Sequence, residues 1–145
     1  MNKRLLTAMG ASILCATALT GAGLAQQAPR QQDDPKQIAA IGMDYQREGV
    51  MSQRDYIRLR KITSSVRAAH AISSSDLNWS LALLKRSPSP LAHARVMAML
   101  GLVHPMPATQ RKEISSAIAP FLSSKDKLDR LAATRLQRRL QAVKS

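Results

Sequence analysis

The three histidines are the residues best suited to acid–base or metal chemistry, and their spacing supports neither. His70, His93 and His104 do not recur at the i, i+4 spacing that places two ligands on one face of a helix. Each is predicted to be an ordinary imidazole, at the surface or partly buried. The sequence therefore predicts no metal site and no cofactor.

Other reactive groups are also scarce. The chain has one cysteine, Cys15, and nine acidic residues, and it contains neither a Gly-rich phosphate loop nor a Gly-x-Ser-x-Gly elbow. A small hydrolase whose catalytic groups come from distant positions is an alternative, and it would require a polar cleft. The preferred interpretation is a protein that is not an enzyme.

The basic residues offer electrostatic chemistry instead. The chain has 22 Lys plus Arg against 9 Asp plus Glu, a formal charge of +13. Such a surface attracts anions through a long-range, salt-sensitive interaction, or it merely keeps the protein soluble. Seven basic residues form the candidate surface for a partner: Lys85, Arg86, Arg111, Lys112, Lys127, Arg130 and Arg138.

Nucleic acid is the least favoured of the anionic partners. Beyond the N-terminal segment the chain offers only four aromatic side chains for base stacking, and it shows no helix motif for reading base edges. These four are Tyr45, Tyr56, Trp79 and Phe121. An anionic lipid or an acidic polymer fits the charge better.

The first 25 residues have the pattern of a secretory signal peptide. Lys3 and Arg4 precede a long uncharged run, and Gly23-Leu24-Ala25 presents small residues where a signal peptidase cleaves. Cleavage after Ala25 would leave 20 Lys plus Arg against 9 Asp plus Glu, a charge of +11. The predicted location is the periplasm or the cell exterior. The alternative is a membrane anchor formed by residues 5–25 of an uncleaved leader.

Cys15 is predicted to belong to this leader. The residue before it is Leu14, where a bacterial lipobox takes a small side chain. A mature chain that begins at Gln26 would contain no cysteine and no disulfide, so its stability must come from packing.

The elements that position these residues are predicted to be helices. Residues 26–37 are polar and contain two prolines, which indicates a flexible linker before a helical domain over 38–145. Apolar residues then recur at helical spacing, and no segment shows the period-two alternation of a strand. The fold class is therefore all-α, with helices predicted near 38–46, 52–72, 76–86, 90–103, 108–123 and 125–143.

Caps and apolar stripes define these helices. Caps are predicted at Ser52, within the segment Ser73-Ser74-Ser75-Asp76, and at Ser89, which is followed by a proline at the first helical position. The helix that starts at Pro90 is apolar nearly all round, so it is predicted to be the most buried, with its methionines filling the core. The final helix carries an i, i+4 row of Leu128, Ala132, Leu136 and Leu140.

Two stretches of the chain are alike, at residues 84–92 and 120–128. They lie about 36 to 38 residues apart, a period typical of stacked helix pairs. Each leads into a helix with matching apolar positions, namely Ala92, Val96 and Leu100 in one and Leu128, Ala132 and Leu136 in the other.

This pattern resembles the HEAT and HEAT-like repeat family over Leu77 to Val143. The arginine that usually follows the first apolar position is replaced by His93 in one unit and by Asp129 in the other. The resemblance implies a short α-solenoid, with an irregular helical bundle as the alternative. It also implies a noncatalytic module that binds another envelope or secreted protein, and the alternative function is a basic binder of anionic envelope lipid or polymer.

Overall fold

Six α-helices make up the part of the chain that a computed structural model describes, residues 34–142. They are α1 (Pro35–Arg47), α2 (Gln53–Ala69), α3 (Ser74–Arg86), α4 (Pro90–Leu100), α5 (Ala108–Leu122) and α6 (Lys127–Ala142). No strand occurs within this range, so the all-α prediction is confirmed for it. The leader, its cleavage site, most of the linker and Val143 lie outside the described residues.

Side-chain caps fix where the first three helices begin. The hydroxyls of Ser52 and Ser73 accept hydrogen bonds from the backbone N–H groups of Asp55 and Asp76, at 3.0 and 3.1 Å, as the capping pattern predicts. Asp34 caps α1 in the same way, accepting from Lys36 N–H at 2.9 Å. Helix α1 therefore starts at Pro35, and residues 35–37, which the sequence assigned to the linker, are helical.

Two helices end earlier than predicted. Helix α2 stops at Ala69 because His70 adopts a left-handed conformation with φ 53°, while its N–H still donates to the Val66 carbonyl at 2.7 Å. Helix α4 stops at Leu100, and its last carbonyls accept from Leu102 and Val103 in tighter turns. The segments that follow are loops rather than further helical turns.

The helices pack as consecutive pairs. Each odd-numbered helix contacts the even-numbered helix that follows it, so the pairs are α1–α2, α3–α4 and α5–α6. Across pairs, α4 packs against both α2 and α6, and α3 packs against α5. The even-numbered helices α2, α4 and α6 therefore lie side by side, with α4 in the middle.

The core is centred on α4, as predicted. Six of its eleven residues are buried, and Met97, Met99 and Met106 are buried as core filling requires. Removing a large apolar side chain of this kind from water contributes about 1.5–3 kcal/mol. Other fully buried side chains come from α3 and α5, namely Leu77, Leu83, Leu84, Ile114 and Ile118.

Helix α6 buries half of the predicted row. Leu136 and Leu140 are buried as predicted, but Asp129 and Ala133 are buried in place of Leu128 and Ala132. Leu128 and Leu131 stay 39% and 46% exposed, and Leu91 at the start of α4 is 37% exposed. Part of the predicted apolar stripe therefore faces outward.

Helix α1 approaches α2 closely at Gly42. A Cβ atom at this position would lie 3.0 Å from Gln53 Cγ and 3.3 Å from Tyr56 Cδ1. Glycine thus permits the contact that seats α1, and the Tyr45 and Tyr56 rings meet beside it with centroids 4.8 Å apart. Within residues 34–142, no helix combines the length and apolarity needed to cross a bilayer.

Candidate functional site

His93 and Asp129 form a buried pair between α4 and α6. His93 Nδ1 lies 2.9 Å from Asp129 Oδ1, and Nε2 lies 2.8 Å from the Ser87 carbonyl oxygen, which can only accept. The second carboxylate oxygen accepts from the Ser124 hydroxyl at 3.1 Å. His93 is 6% exposed, so the prediction of a surface or partly buried imidazole is wrong for this residue. Both side chains are engaged by structural partners, and the pair joins the starts of the two helices.

The other two histidines lie at exposed loops. His70 ends α2, and the N–H of His104 donates to its carbonyl at 2.7 Å. Among residues 34–142, no three His, Cys, Asp or Glu side chains come together as a metal site would require.

The seven basic residues of the predicted surface are divided between the opposite ends of the helices. The His93–Asp129 contact places the starts of α4 and α6 side by side, and α3 ends there too. That end carries Lys85, Arg86, Lys127 and Arg130. Since α5 runs into α6 through the same end, its start lies about 22 Å away. Arg111 and Lys112 belong to that second end, and Arg138 follows near the end of α6.

Two of the seven are already engaged inside the molecule. Arg86 forms an ion pair with Asp55, and its guanidinium lies 5.8 Å from the centroid of the Trp79 ring. Arg130 donates to the Ser124 and Lys125 carbonyls at 2.6 and 2.8 Å, which holds it against the α5–α6 turn. The structure does not assemble the seven residues into one site.

An apolar groove instead runs between α4 and α6 on the exposed side of these two helices. We call it the α4–α6 groove; its volume is about 490 Å³. The exposed side chains of Leu91, Leu128 and Leu131 line it, and Met97 and Leu136 lie deeper. Its lining contains no His, Cys, Ser, Thr, Asp or Glu. Such a surface can bind an apolar partner but offers no nucleophile or general acid.

Three arginines surround this groove. The Arg95 guanidinium lies 4.9 Å above the centroid of the Tyr45 ring, and Arg139 Nη1 donates to the Gly101 carbonyl. Arg135 makes no hydrogen bond or ion pair with any described residue. Two of the cations are therefore held in place and the third is not, and none of the three is paired with a carboxylate of a described residue.

A smaller depression between α2 and α4 extends the surface. It has a volume of about 220 Å³, shares Arg95, Ala98 and Leu102 with the groove, and adds Arg60 and Arg67. It is also lined without Asp or Glu. We call the two depressions together the α2–α4–α6 face. It combines five arginines with exposed apolar side chains.

Sequence reasoning missed the arginines of this face. A signal for them was present, because Leu128, Leu131 and Arg135 follow the i, i+3, i+7 spacing of one helix face. The predicted leucine row combined Leu128, which lies on the exposed face of α6, with Leu136 and Leu140, which lie on its buried face. Separating them requires knowing which side of α6 meets α4.

No protein-family model matches this chain, and no curated protein or solved structure matches it.

Proposed function

We propose that this protein is an exported, noncatalytic interaction module of HEAT-like helical repeats, which binds another protein through the α2–α4–α6 face. The observation that carries the proposal is the α4–α6 groove, where three large apolar side chains are exposed together. Contiguous apolar surface of this kind, surrounded by polar groups, marks interaction sites on soluble proteins.

The packing order of the helices supports the repeat interpretation. In a solenoid each unit packs only on its neighbours, which matches the pairs α1–α2, α3–α4 and α5–α6 and the contacts of α4 with α2 and α6. Three pairs are also the number that such a stack requires. The contacts between alternate helices carry the distinction, because short loops place consecutive helices side by side in any bundle.

The chemistry of the groove supports a role in binding rather than catalysis. Its lining holds no group that exchanges protons near neutral pH and no hydroxyl or thiol. The one buried histidine, His93, is occupied by Asp129 and by the Ser87 carbonyl. The hydrolase alternative, which needs a polar cleft, gains no support from this groove.

Export remains a proposal that rests on the leader pattern at residues 1–25. Mass measurement of the N-terminus of protein recovered from the cell envelope or culture medium tests it. A chain beginning at Gln26 is expected, whereas an intact Met1 on membrane-bound protein would support the anchor alternative.

Partner capture with matched variants tests the binding proposal. Leu131→Asp places a charge in the groove, while Ile57→Asp changes an equally exposed residue, at 42%, outside the α2–α4–α6 face. With both variants shown to be folded by circular dichroism, the Leu131 variant is expected to lose an envelope partner that the wild type and the Ile57 variant retain at physiological salt. Capture that is equal for all three, or no specific partner at all, would contradict the proposal.

A second candidate function, binding of anionic envelope lipid or polymer, is favoured by the five arginines of the same face. Its affinity must fall as salt rises, because screening weakens each charge contact. Binding that is unchanged between low and high ionic strength would exclude it.

A further inference from the structure

We infer that the segment bound in the α4–α6 groove is an amphipathic helix, whose apolar side chains enter the groove and whose flanking Asp or Glu carboxylates pair with Arg95, Arg135 and Arg139. This inference rests on the proposed function and specifies the chemistry of its partner.

The shape of the groove suits a helix. Two parallel helices, α4 and α6, form its walls, and a third helix can pack its side-chain ridges into the space between such walls. From Leu91 to Leu100, where α4 ends, the α4 wall is about 14 Å long. Anchors at i, i+4 and i+7 of a bound helix span about 10 Å, so three of them fit along it.

The charges of the face specify the flanks of that helix. Both depressions are lined by arginines and by no carboxylate. Six of the eight acids among residues 34–142 are engaged elsewhere. Asp34 and Asp126 cap helices, Asp44, Asp55 and Asp76 form ion pairs, and Asp129 contacts His93. A partner with acidic flanks thus meets complementary charge and no repulsion, which raises the association rate and selects against basic helices.

The arginines are partly ordered before any partner arrives. The Tyr45 ring holds Arg95, and the Gly101 carbonyl holds Arg139. Fixing such long side chains in advance lowers the entropy lost on binding. Arg135 is not held in this way and is expected to gain the most from a carboxylate.

A bilayer surface fits this site less well than a helix does. The apolar side chains lie in a recess between two helices, and Met97 in its lining is fully buried. A flat surface would touch the ridges of α4 and α6 without reaching the floor between them. Binding to anionic lipid is therefore the competing result that the test must distinguish.

Binding of the whole chain to designed peptides tests the inference. The first peptide is an amphipathic helix of about four turns with Leu at i, i+4 and i+7 and Glu on the flanks. A second replaces Glu by Lys, a third replaces Leu by Ser, and vesicles of phosphatidylglycerol and phosphatidylcholine form the fourth arm. Dissociation constants come from fluorescence anisotropy for the peptides and from co-sedimentation for the vesicles.

Only the Glu–Leu peptide is expected to bind tightly. Arg135→Glu should weaken it at least about tenfold, whereas Arg54→Glu, an equal charge change outside the face, should weaken it less than about threefold. Equal binding of the Lys or Ser peptide, equal effects of the two variants, or binding by vesicles alone would overturn the inference. If Leu131→Asp still abolishes capture of an envelope partner while no acidic peptide binds, only this inference fails. If Leu131→Asp captures the envelope partner as well as the wild type does, the proposed function fails too.

Discussion

At the scale of single residues, the contact between His93 and Asp129 joins positions that are 36 residues apart. In the proposed HEAT-like repeat, these are the two positions where arginine is usual. One of the two similar stretches has an imidazole there and the other has a carboxylate. The substitution links α4 to α6 directly.

Removing either member of this pair should destabilise the fold. We expect His93→Ala and Asp129→Ala each to lower the free energy of unfolding by about 3 kcal/mol, because each leaves a buried polar partner unsatisfied. Urea denaturation of both single variants and the double variant gives their coupling energy, expected to exceed about 1 kcal/mol. His104→Ala, at an exposed site, is the control and should change stability by less than about 0.5 kcal/mol. Additive effects of the two substitutions would show that the pair is not coupled.

The sequence could not identify this pair. Histidine and aspartate are polar, so neither contributes to an apolar stripe, and the only hint was their shared departure from the repeat pattern. Their contact depends on how far α6 is displaced along α4. That displacement is set by packing of residues distant in sequence, which no local rule specifies.

At the scale of elements, the starts of helices were predictable and the ends were less so. A cap is a local feature, since a serine hydroxyl needs only an N–H three residues ahead. Ser52 caps α2 as predicted, and the cap of α3 lies in the predicted segment, at Ser73. The end of α2 depends on His70 adopting a left-handed conformation, which is rare outside glycine and leaves little sequence signal. The buried face of α6 differs in part from the predicted one, because a leucine can lie in a buried core or in an exposed groove and the sequence does not distinguish the two.

The predicted cap of α4 provides a direct test of this distinction. Ser89 occupies the N-cap position, yet its side chain makes no capping hydrogen bond. Ser52→Ala and Ser73→Ala should each cost about 1 kcal/mol of stability, whereas Ser89→Ala should cost only a few tenths. Thermal unfolding followed by circular dichroism ranks the three variants. An equal loss for Ser89→Ala would mean that its hydroxyl caps the helix after all.

Helix α1 is held by close approach rather than by a large apolar face. Gly42 is its only buried residue, so Gly42→Leu should force α1 away from Gln53 and Tyr56 and cost about 1–3 kcal/mol. Ala40→Leu adds the same side chain at an exposed position of the helix and should be nearly neutral. Near-equal melting temperatures for the two variants would show that α1 does not depend on this contact.

At the scale of the whole molecule, composition and periodicity were enough for the all-α class and for the central position of α4. They were not enough to predict the α2–α4–α6 face. That face arises only when α2, α4 and α6 are brought side by side, since its arginines come from three separate helices. The sequence shows that the protein is basic, whereas the fold shows that the arginines of this face surround exposed leucines.

Hydrogen exchange can distinguish a stack of pairs from a single cooperative bundle. In a nearest-neighbour stack, an end unit opens without the rest, because it gives up only one interface. Helix α1 packs chiefly on α2, whereas α4 packs on α2, α3 and α6. We therefore expect the amides of α1 to exchange at least about tenfold faster than those of α4, as measured by mass spectrometry of the intact chain. Gly42→Leu should accelerate α1 further and leave α4 unchanged, since α4 retains its core. Equal protection in all six helices, or a variant that accelerates exchange everywhere, would favour the irregular bundle, because the chain would then unfold as one unit.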